Sequence, residues 1–356
     1  MTSQARSSRT LKKAVVLGDT SGANHHGCEL VMENLFRGLA GHGIEISQCH
    51  SGKNWSAIPA ICHALQSADL LVINGEGTIH HDRPMGDELL RAAEFAHEHG
   101  VPAYLINCTW HSNGRSLAER AAVFRRVYVR ESVSAAELAA AGIATTVTPD
   151  LTLATEWTGV DAVRSGCLVS DSTMPAVTSK LYRLIPQLAE ARFASIRSTR
   201  WNRGGTWRRA KRWTQWAAAR ALGQFGLCPA SYISLAFADR DARTYLSRMA
   251  SAHVMLTGRF HAACFAILTA TPVIAVRSNT SKIEGLLHDA GLNANRIIDL
   301  NEMTTIRLRE IIAAAALSPG EEANRAAYLQ DARERIRNMF SLIAAEIRPC
   351  VLESAA

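Results

Sequence analysis

Short apolar runs alternate with longer amphipathic segments through the first half of the chain. The runs are rich in Val, Ile and Leu, as buried parallel strands are, and the segments between them have helical spacing. The predicted strands are 14–18, 68–74, 101–107, 126–130 and 145–150, and the predicted helices are 28–41, 86–99, 116–125 and 134–141. This order predicts a parallel sheet with crossover helices, which binds ligands at the carboxyl ends of its strands.

The same alternation resumes after residues 155–162, which we interpret as a linker. The predicted strands are 166–169, 232–236, 253–257 and 272–276, and the predicted helices are 177–191, 242–250, 261–269, 281–290, 304–316 and 321–342. The pattern predicts an α/β protein of two Rossmann-like domains, residues 13–154 and 163–320, with 321–356 as a C-terminal helix packing on them. The active site is expected in the cleft between the domains.

Composition and charge narrow the class of protein. A chain of 356 residues that is 47% hydrophobic and 20% charged is globular and excludes a disordered, collagenous or coiled-coil protein. The net charge of +7 is local, because residues 180–220 contain eleven basic residues and one acid. The rest of the chain is mildly acidic, so general nucleic-acid binding is not expected, and no nucleic-acid motif accompanies the basic stretch.

The segment 200–223 interrupts the second domain and carries Trp207, Trp213 and Trp216 among arginines. Two interpretations are open. It is an amphipathic segment that lies on a membrane surface, or its tryptophans pack on the domain and its arginines form a solvated face. No apolar run approaches the roughly 20 residues of a membrane span, and the eight cysteines are scattered. We therefore expect a cytoplasmic protein with reduced thiols, and peripheral contact with the inner membrane face through 200–223 as an extension of that expectation.

Histidines and acids collect in the loops that follow the N-terminal strands. The histidines are His25, His26, His80, His81 and His111. The loop after strand 68–74 adds Glu76 and Asp82, and its glycines allow backbone to approach a ligand closely. Because parallel strands end at one edge of a sheet, these groups are expected to meet at the cleft.

Three roles are open for these histidines: metal ligation, proton transfer or hydrogen bonding to a ligand, and capping of the loops. Adjacent histidines on a loop seldom both reach one ion, and no H-E-x-x-H or Cys/His spacing occurs, so no metal is expected. Proton transfer or hydrogen bonding in a polar cleft agrees better with their placement.

The second domain contains a candidate anion site. A buried strand leads into Arg259 and His261 at the start of an apolar helix, where free N–H groups favour a negative charge. The next strand leads into a second helix start, with Ser278, Asn279 and Lys282, which suits phosphate or carboxylate. The simplest structural alternative is that Arg259 only pairs with an acid.

The chain resembles the polysaccharide pyruvyl transferase family. The resemblance rests on Thr257-Gly-Arg-Phe-His-Ala-Ala, on Ser278-Asn-Thr-Ser-Lys-Ile-Glu-Gly285, and on Val129-Arg-Glu-Ser followed by Pro149-Asp150. It implies a fold similar to two-domain (GT-B type) glycosyltransferases and transfer of pyruvate from phosphoenolpyruvate to sugar hydroxyls. It further implies that Arg259 and His261, and with them Arg130, are site residues, and it relates Asp82 to the acid that follows the family's glycine loop.

The residues implied by the resemblance and those found in the loops and helix starts together make up the expected site. The candidate catalytic residues are His261, Arg259, Asp82 and Glu76; the candidate donor-binding residues are Arg130, Arg259, Lys282, Ser278 and Asn279; the histidines 25, 26, 80, 81 and 111 are placed on the acceptor side. Phosphoenolpyruvate is expected as donor substrate, with no cofactor, and a cell-surface glycan or its lipid-linked precursor as acceptor.

Departures from the family pattern lie on the N-terminal side. The family's run of glycines is Gly75-Glu76-Gly77 here, and its usual Asn-x-Gly-Asp is His26-Gly27-Cys28-Glu29.

The alternative function is a GT-B type glycosyltransferase that uses a nucleotide-activated sugar, because the same anion-binding groups would serve a nucleotide phosphate equally well. A glycan-binding or assembly subunit is a third, non-enzymatic interpretation.

Overall fold

Two large parallel β-sheets form the centres of the two halves of the molecule. The computed structural model describes residues 11–159, 163–199, 206–225, 227–277 and 280–347. Each sheet is flanked by the helices that connect its strands, so the predicted α/β architecture of two Rossmann-like sheets is confirmed.

The N-terminal sheet has six parallel strands in the order β2-β1-β3-β4-β5-β6. The strands are β1 (Lys12–Leu17), β2 (Ile44–His50), β3 (Leu70–Asn74), β4 (Ala103–Cys108), β5 (Arg126–Val129) and β6 (Thr146–Val147). The helices are α1 (His26–Gly41), α2 (Pro59–Ser67), α3 (Pro84–Glu98), α4 (Arg115–Arg120) and α5 (Ser132–Ala140). The loops after β1, β3, β4 and β5 lie at one edge of this sheet, since all its strands run the same way.

The C-terminal half begins with three strands and two helices. They are β7 (Ser165–Ser172), α6 (Pro175–Leu184), β8 (Ala191–Phe193), β9 (Ser195–Ser198) and α7 (Thr206–Gln224). Next come α8 (Ile233–Ala236), β10 (Ala238–Asp239), α9 (Ala242–Ala250), β11 (Ala252–Gly258) and α10 (Phe260–Leu268). The last elements are β12 (Val273–Val276), α11 (Lys282–Asp289), β13 (Ile297–Ile298), α12 (Thr305–Ala313) and α13 (Pro319–Glu346). Five of the strands form a parallel sheet in the order β13-β12-β11-β7-β8, and β9 pairs with β10 beside it.

Several predicted elements differ from the structure. The expected strand 232–236 is wrong: residues 230–232 form a 3-10 turn and α8 follows, because the apolar spacing of Ile233 and Ala236 buries one helical face. The helix expected over 177–191 ends at Leu184, just before Pro186. The strand expected over 145–150 is reduced to two residues, and β2, α2, β8, β9, β10 and β13 correspond to no predicted element.

One continuous apolar core joins the two halves. It includes Leu35 of α1, Phe260 and Phe265 of α10, and Met339 and Phe340 of α13, all buried. Helix α13 starts with a capping box between Ser318 and Glu321 and runs 28 residues across both halves. The two domains are therefore held together by packing as well as by the chain connection.

The basic helix α7 presents large apolar side chains to solvent. Trp207 and Trp213 are 80% and 60% exposed, while Trp216 is partly buried. Nearby, Phe225 and Leu227 are also exposed. Packing of all three tryptophans on the domain is thus not what the structure shows. No helix in the described ranges is long and apolar enough to cross a membrane.

Candidate active site

His261 lies where the two domains meet. It is the second residue of α10, following β11 and Arg259, and its side chain is buried. Its Nε2 atom lies 3.4 Å from Oε1 of Glu76 and 3.5 Å from Oδ2 of Asp150. The imidazole of one domain therefore faces two carboxylates of the other.

Glu76 is fixed by donors from three directions. Its carboxylate accepts hydrogen bonds from Oγ1 of Thr20 at 2.8 Å, from Sγ of Cys28 at 2.9 Å and from Nδ2 of Asn74 at 3.3 Å. Burial and the adjacent carboxylate raise the pKa of the Cys28 thiol well above its ordinary value, so Cys28 is the proton donor in that contact. The Gly75-Glu76-Gly77 loop thus delivers a buried, oriented carboxylate.

Asp150 is held in place by Arg130. The two side chains are buried and 2.8 Å apart, and the guanidinium also donates to Oγ1 of Thr109 and lies over the Phe260 ring at 4.3 Å. Burial opposes the charge on Asp150, yet His261 and Arg130 together hold the pKa of its carboxyl well below the ordinary value. Arg130, expected to bind donor, is thus placed behind Asp150, with its donors used inside the protein.

A second feature begins at Arg259. Its Nη2 atom lies 3.0 Å from Oδ2 of the buried Asp171, and the guanidinium lowers the pKa of that carboxyl against the effect of burial. Arg259 also lines a cavity of about 430 Å³, together with Arg197, Arg212 and hydroxyl-bearing side chains such as Ser172. Among the described residues, no carboxylate pairs with Arg197 or Arg212. The cavity is therefore a cationic pocket with hydrogen-bonding walls.

His25 joins the site through the first turn of α1. Its Nδ1 atom accepts the N–H groups of Gly27 at 3.2 Å and Cys28 at 3.4 Å, and its ring lies 5.3 Å from the His261 ring. Burial, and then the positive charge of His261, lower its pKa well below the ordinary value, so it is neutral. His26 points away from this contact and packs on Tyr245.

The other three histidines form a separate cluster beside the cleft. Nδ1 of His80 lies 2.8 Å from Nδ1 of His81, and the His81 and His111 rings are 5.3 Å apart. Nδ1 of His111 lies 3.3 Å from Oγ of Ser281, which links this cluster to the second domain. Burial, and then Arg83 and Lys282, lower the pKa of His80 to about 4.

The remaining predicted residues divide into three cases. Asp82 is exposed and accepts the N–H of Gly114 at 2.8 Å, so its carboxylate braces a loop instead of facing His261. Lys282 opens α11, and burial, then Arg130, lower its pKa to about 8. Ser278 and Asn279 lie outside the described residues.

Sequence reasoning assigned no role to several residues that build the site. In the sequence, Asp150 stands out only as part of the Pro149-Asp150 pair, and Cys28 only as part of the His26-Gly27-Cys28-Glu29 departure from the family pattern. Asp171, an acid inside a buried strand, is a signal that could have been found, because an acid there needs a cationic partner. Arg197 and Arg212 could not be connected with Arg259 from sequence, since they reach the cavity from elements far apart in the chain.

Comparison with known proteins identifies the fold of this chain and the family to which it belongs. The fold is that of GT-B glycosyltransferases and related epimerases. The family profile described as polysaccharide pyruvyl transferase matches residues 25–280, and the chain belongs to that family. It is thus a transferase of the α/β class. No curated protein matches the chain significantly.

Solved structures with low sequence identity share the fold. The glycosyltransferase of kitacinnamycin has a TM-score of 0.54 and 12% identity, covering 95% of this chain and 99% of that one. The MnaA–UDP complex of S. aureus has a TM-score of 0.55 and 11% identity, covering 94% and 97%. The UDP-GlcNAc 2-epimerase of Neisseria meningitidis, bound to UDP-GlcNAc, has a TM-score of 0.52 and 11% identity, covering 94% and 100%.

Proposed function

We propose that this transferase moves pyruvate from phosphoenolpyruvate to two hydroxyls of a glycan, forming a ketal. The observation that carries the proposal is the placement of His261 Nε2 between Glu76 and Asp150, next to Arg259, in a member of the pyruvyl transferase family. The reaction needs an acid that protonates a carbon of the donor, a base that accepts a hydroxyl proton, and cations that bind the donor. Side chains of all three kinds lie in this cleft.

The donor would be held by cations of the second domain. Phosphoenolpyruvate carries a phosphate and a carboxylate, and Arg259 and Lys282 offer charge partners at adjoining helix starts. Arginine suits this task because its charge persists when it is desolvated and its planar group pairs with two oxygens. Asp171 fixes the direction of the Arg259 guanidinium.

His261 would act as the acid. Its imidazolium, which faces Glu76 and Asp150, gives a proton to the methylene carbon of the donor, which becomes a methyl group, and positive charge develops at the neighbouring carbon. A sugar hydroxyl adds to that carbon as Glu76 takes its proton. The C–O bond to phosphate then breaks, and the second hydroxyl closes the ketal. Of the two hydroxyl protons, one replaces the proton lost by His261 and the other leaves with phosphate.

Arg130 would act through Asp150 in this scheme. Because its donors are taken by Asp150 and Thr109, it orients the carboxylate that faces His261. We therefore assign Arg130 a positioning role, and we assign the base to Glu76 in preference to Asp82, whose carboxylate braces the loop at Gly114.

The acceptor would be a glycan on an anionic lipid carrier, met at the cytoplasmic face of the inner membrane. Arg212 and Gln215 of α7 line the cationic cavity, while Trp207 and Trp213 of the same helix are exposed. A ligand with a phosphate beside an apolar chain matches such a surface, since tryptophan and arginine are suited to the membrane interface. This assignment covers both the acceptor class and the peripheral membrane contact.

A nucleotide-sugar glycosyltransferase is the second candidate function. The cavity of about 430 Å³ favours it, because it is larger than phosphoenolpyruvate requires and offers Tyr232 beside three arginines. Shared fold with nucleotide-binding proteins does not decide the donor.

Calorimetry separates the two candidates. Purified protein is titrated with phosphoenolpyruvate, UDP and a panel of other nucleoside diphosphates, with pyruvate and inorganic phosphate as controls. Saturable binding of phosphoenolpyruvate, with incorporation of its radiolabelled carbon into a lysate glycan fraction, supports the pyruvyl transfer. Binding of a nucleotide with none of phosphoenolpyruvate overturns it.

A further inference from the structure

Three side chains of types that can ligate a metal lie close together within the cleft. One ligand atom each from His25, Cys28 and His261 lies within 4.8 Å of the others. His25 is the N-cap of α1 and Cys28 lies in its first turn, while His261 lies in the first turn of α10, so both domains contribute. We infer that this cluster binds a borderline divalent cation of the Zn²⁺ type. The proposed transfer reaction does not require such a cation.

The Nε2 atom of His261 supplies independent support. His261 is 8% exposed, and within the described residues Nε2 is a buried polar atom with no hydrogen-bond partner. It points towards Glu76, whose Oε1 lies 3.4 Å away. In the neutral imidazole this nitrogen has a lone pair to offer to a cation, and the carboxylates of Glu76 and Asp150 beside it would offset the added positive charge.

The donor set fits zinc. Imidazole nitrogen and thiolate sulfur are the ligands that Zn²⁺ prefers, and three protein ligands leave a fourth position open. Oε1 of Glu76, 2.9 Å from Sγ of Cys28 and 3.4 Å from Nε2 of His261, is placed to fill it. A harder cation such as Mg²⁺ would not choose a thiol and two imidazoles.

Binding requires two local changes. Cys28 loses its proton to solvent, and the resulting thiolate at the start of α1 is favoured by the helix dipole and by the cation. His25 gives up its two long bonds to the N–H groups of Gly27 and Cys28, because a neutral imidazole has one lone pair to offer. Both changes are confined to one turn of α1.

Occupancy of this site would exclude proton transfer by His261. The metal would take the lone pair that binds the catalytic proton, so Zn²⁺ would inhibit the transferase reversibly. Inhibition by Zn²⁺ rests on the proposed function, whereas the inference that the cluster binds a metal does not.

Cobalt titration tests the metal site directly. Full-length protein, stripped with a chelator, is titrated with Co²⁺ while the near-ultraviolet thiolate-to-cobalt band and the visible bands are recorded. The expected result is one tetrahedral Co²⁺ per chain, displaced by one equivalent of Zn²⁺. Cys28→Ser should abolish the thiolate band, and His25→Ala should weaken binding at least tenfold.

The controls separate this site from accidental binding. Cys49→Ser, which removes an exposed thiol, should leave the band and affinity unchanged, and circular dichroism establishes that each variant is folded. Absence of saturable one-to-one binding in the wild-type protein, or a thiolate band that persists in folded Cys28→Ser, overturns the inference. If Co²⁺ binds as expected and pyruvyl transfer is never observed, the metal site stands and the proposed function fails.

Discussion

Gly27 lies against the imidazole of His261 so closely that a side chain at position 27 would collide with the ring. A Cβ atom built on Gly27 would be 2.3 Å from Cγ and 2.5 Å from Cβ of His261. These are atoms near the His261 backbone, so the clash cannot be relieved by a small rotation. The first turn of α1 therefore sets the position of the residue that we assign as the acid.

Gly27→Ala should lower kcat by at least tenfold with little effect on the solubility of the protein. The methyl group displaces the His261 ring from Glu76 and Asp150, and small displacements of catalytic groups are costly. Gly41→Ala is the matched control on the same helix, because nothing lies within 4 Å of a Cβ there. Steady-state kinetics of both variants make the comparison; equal activities would remove the assigned role of this contact.

Arg259→Ala should reduce turnover by several orders of magnitude and abolish donor binding in calorimetry. The change removes the cation shared by the cavity and the α10 helix start, and takes the arginine partner from buried Asp171. Arg277→Ala, which removes an exposed arginine paired with Glu284 and Asp299, should leave both measurements nearly unchanged. Retained activity in folded Arg259→Ala would contradict the site assignment.

Donor use should weaken as the pH rises through about 8. Burial and neighbouring arginines lower the pKa of Lys282 to about 8, so the lysine is charged below that pH and neutral above it. The kcat/KM for phosphoenolpyruvate reports groups of the free enzyme, and it should fall with a midpoint near pH 8. In Lys282→Gln the value should be low already at pH 7, and this decline should vanish; an unchanged pH profile would show that Lys282 does not contact the donor.

Asp150→Asn should destabilise the fold by about 3–5 kcal/mol, because the fully buried Arg130 would lose its counter-charge. Urea unfolding at neutral pH measures the change. Asp331→Asn, in the exposed pair with Arg335 on α13, should cost less than about 1 kcal/mol. Similar losses for the two variants would show that the Arg130–Asp150 pair is not the structural support described above.

Trp207→Ser with Trp213→Ser should reduce sedimentation with vesicles of anionic phospholipid and leave turnover on a short, water-soluble acceptor unchanged. Both rings are exposed on α7, so their removal takes away interfacial contact without opening the core. Trp216, which is partly buried and lies under Arg220, is left in place. Unaltered vesicle binding would show that the exposed Trp207 and Trp213 rings do not contact the membrane.

Sequence pattern predicted the parts of the fold that follow regular hydrophobic spacing. Strands β3, β4 and β12 are buried throughout, and β1 and β11 are buried except near their first residues, and such apolar runs have few alternative structures. The segment around Ile233 was misassigned because a short apolar run fits a strand or a helix equally, and only packing decides. Strand β2 alternates in burial and lies at a sheet edge, where the apolar signal is weak.

The site was predictable only where residues are neighbours in the chain. Arg259 and His261 were recognised because strand, arginine and helix start are contiguous. The partners of His261 are not: Glu76 and Asp150 lie 185 and 111 residues before it, and no local pattern states that they converge on one nitrogen. Asp82 and Glu76 are equivalent candidates in the sequence of one loop, and the structure distinguishes them: Glu76 is buried beside His261, whereas Asp82 is exposed and accepts the N–H of Gly114.

Helix α13 determines how this enzyme could be recombined with its relatives. Its Phe340 packs on Gly38 and its Glu346 binds Tyr104 in the first half, while Arg325 donates to the carbonyl of Ile267 in the second. Helix α13 thus packs against both halves of the molecule. A chimera that takes its N-terminal half from a relative to change acceptor preference must also take the α13 residues that contact that half. Otherwise α13 will pack poorly against the new N-terminal half.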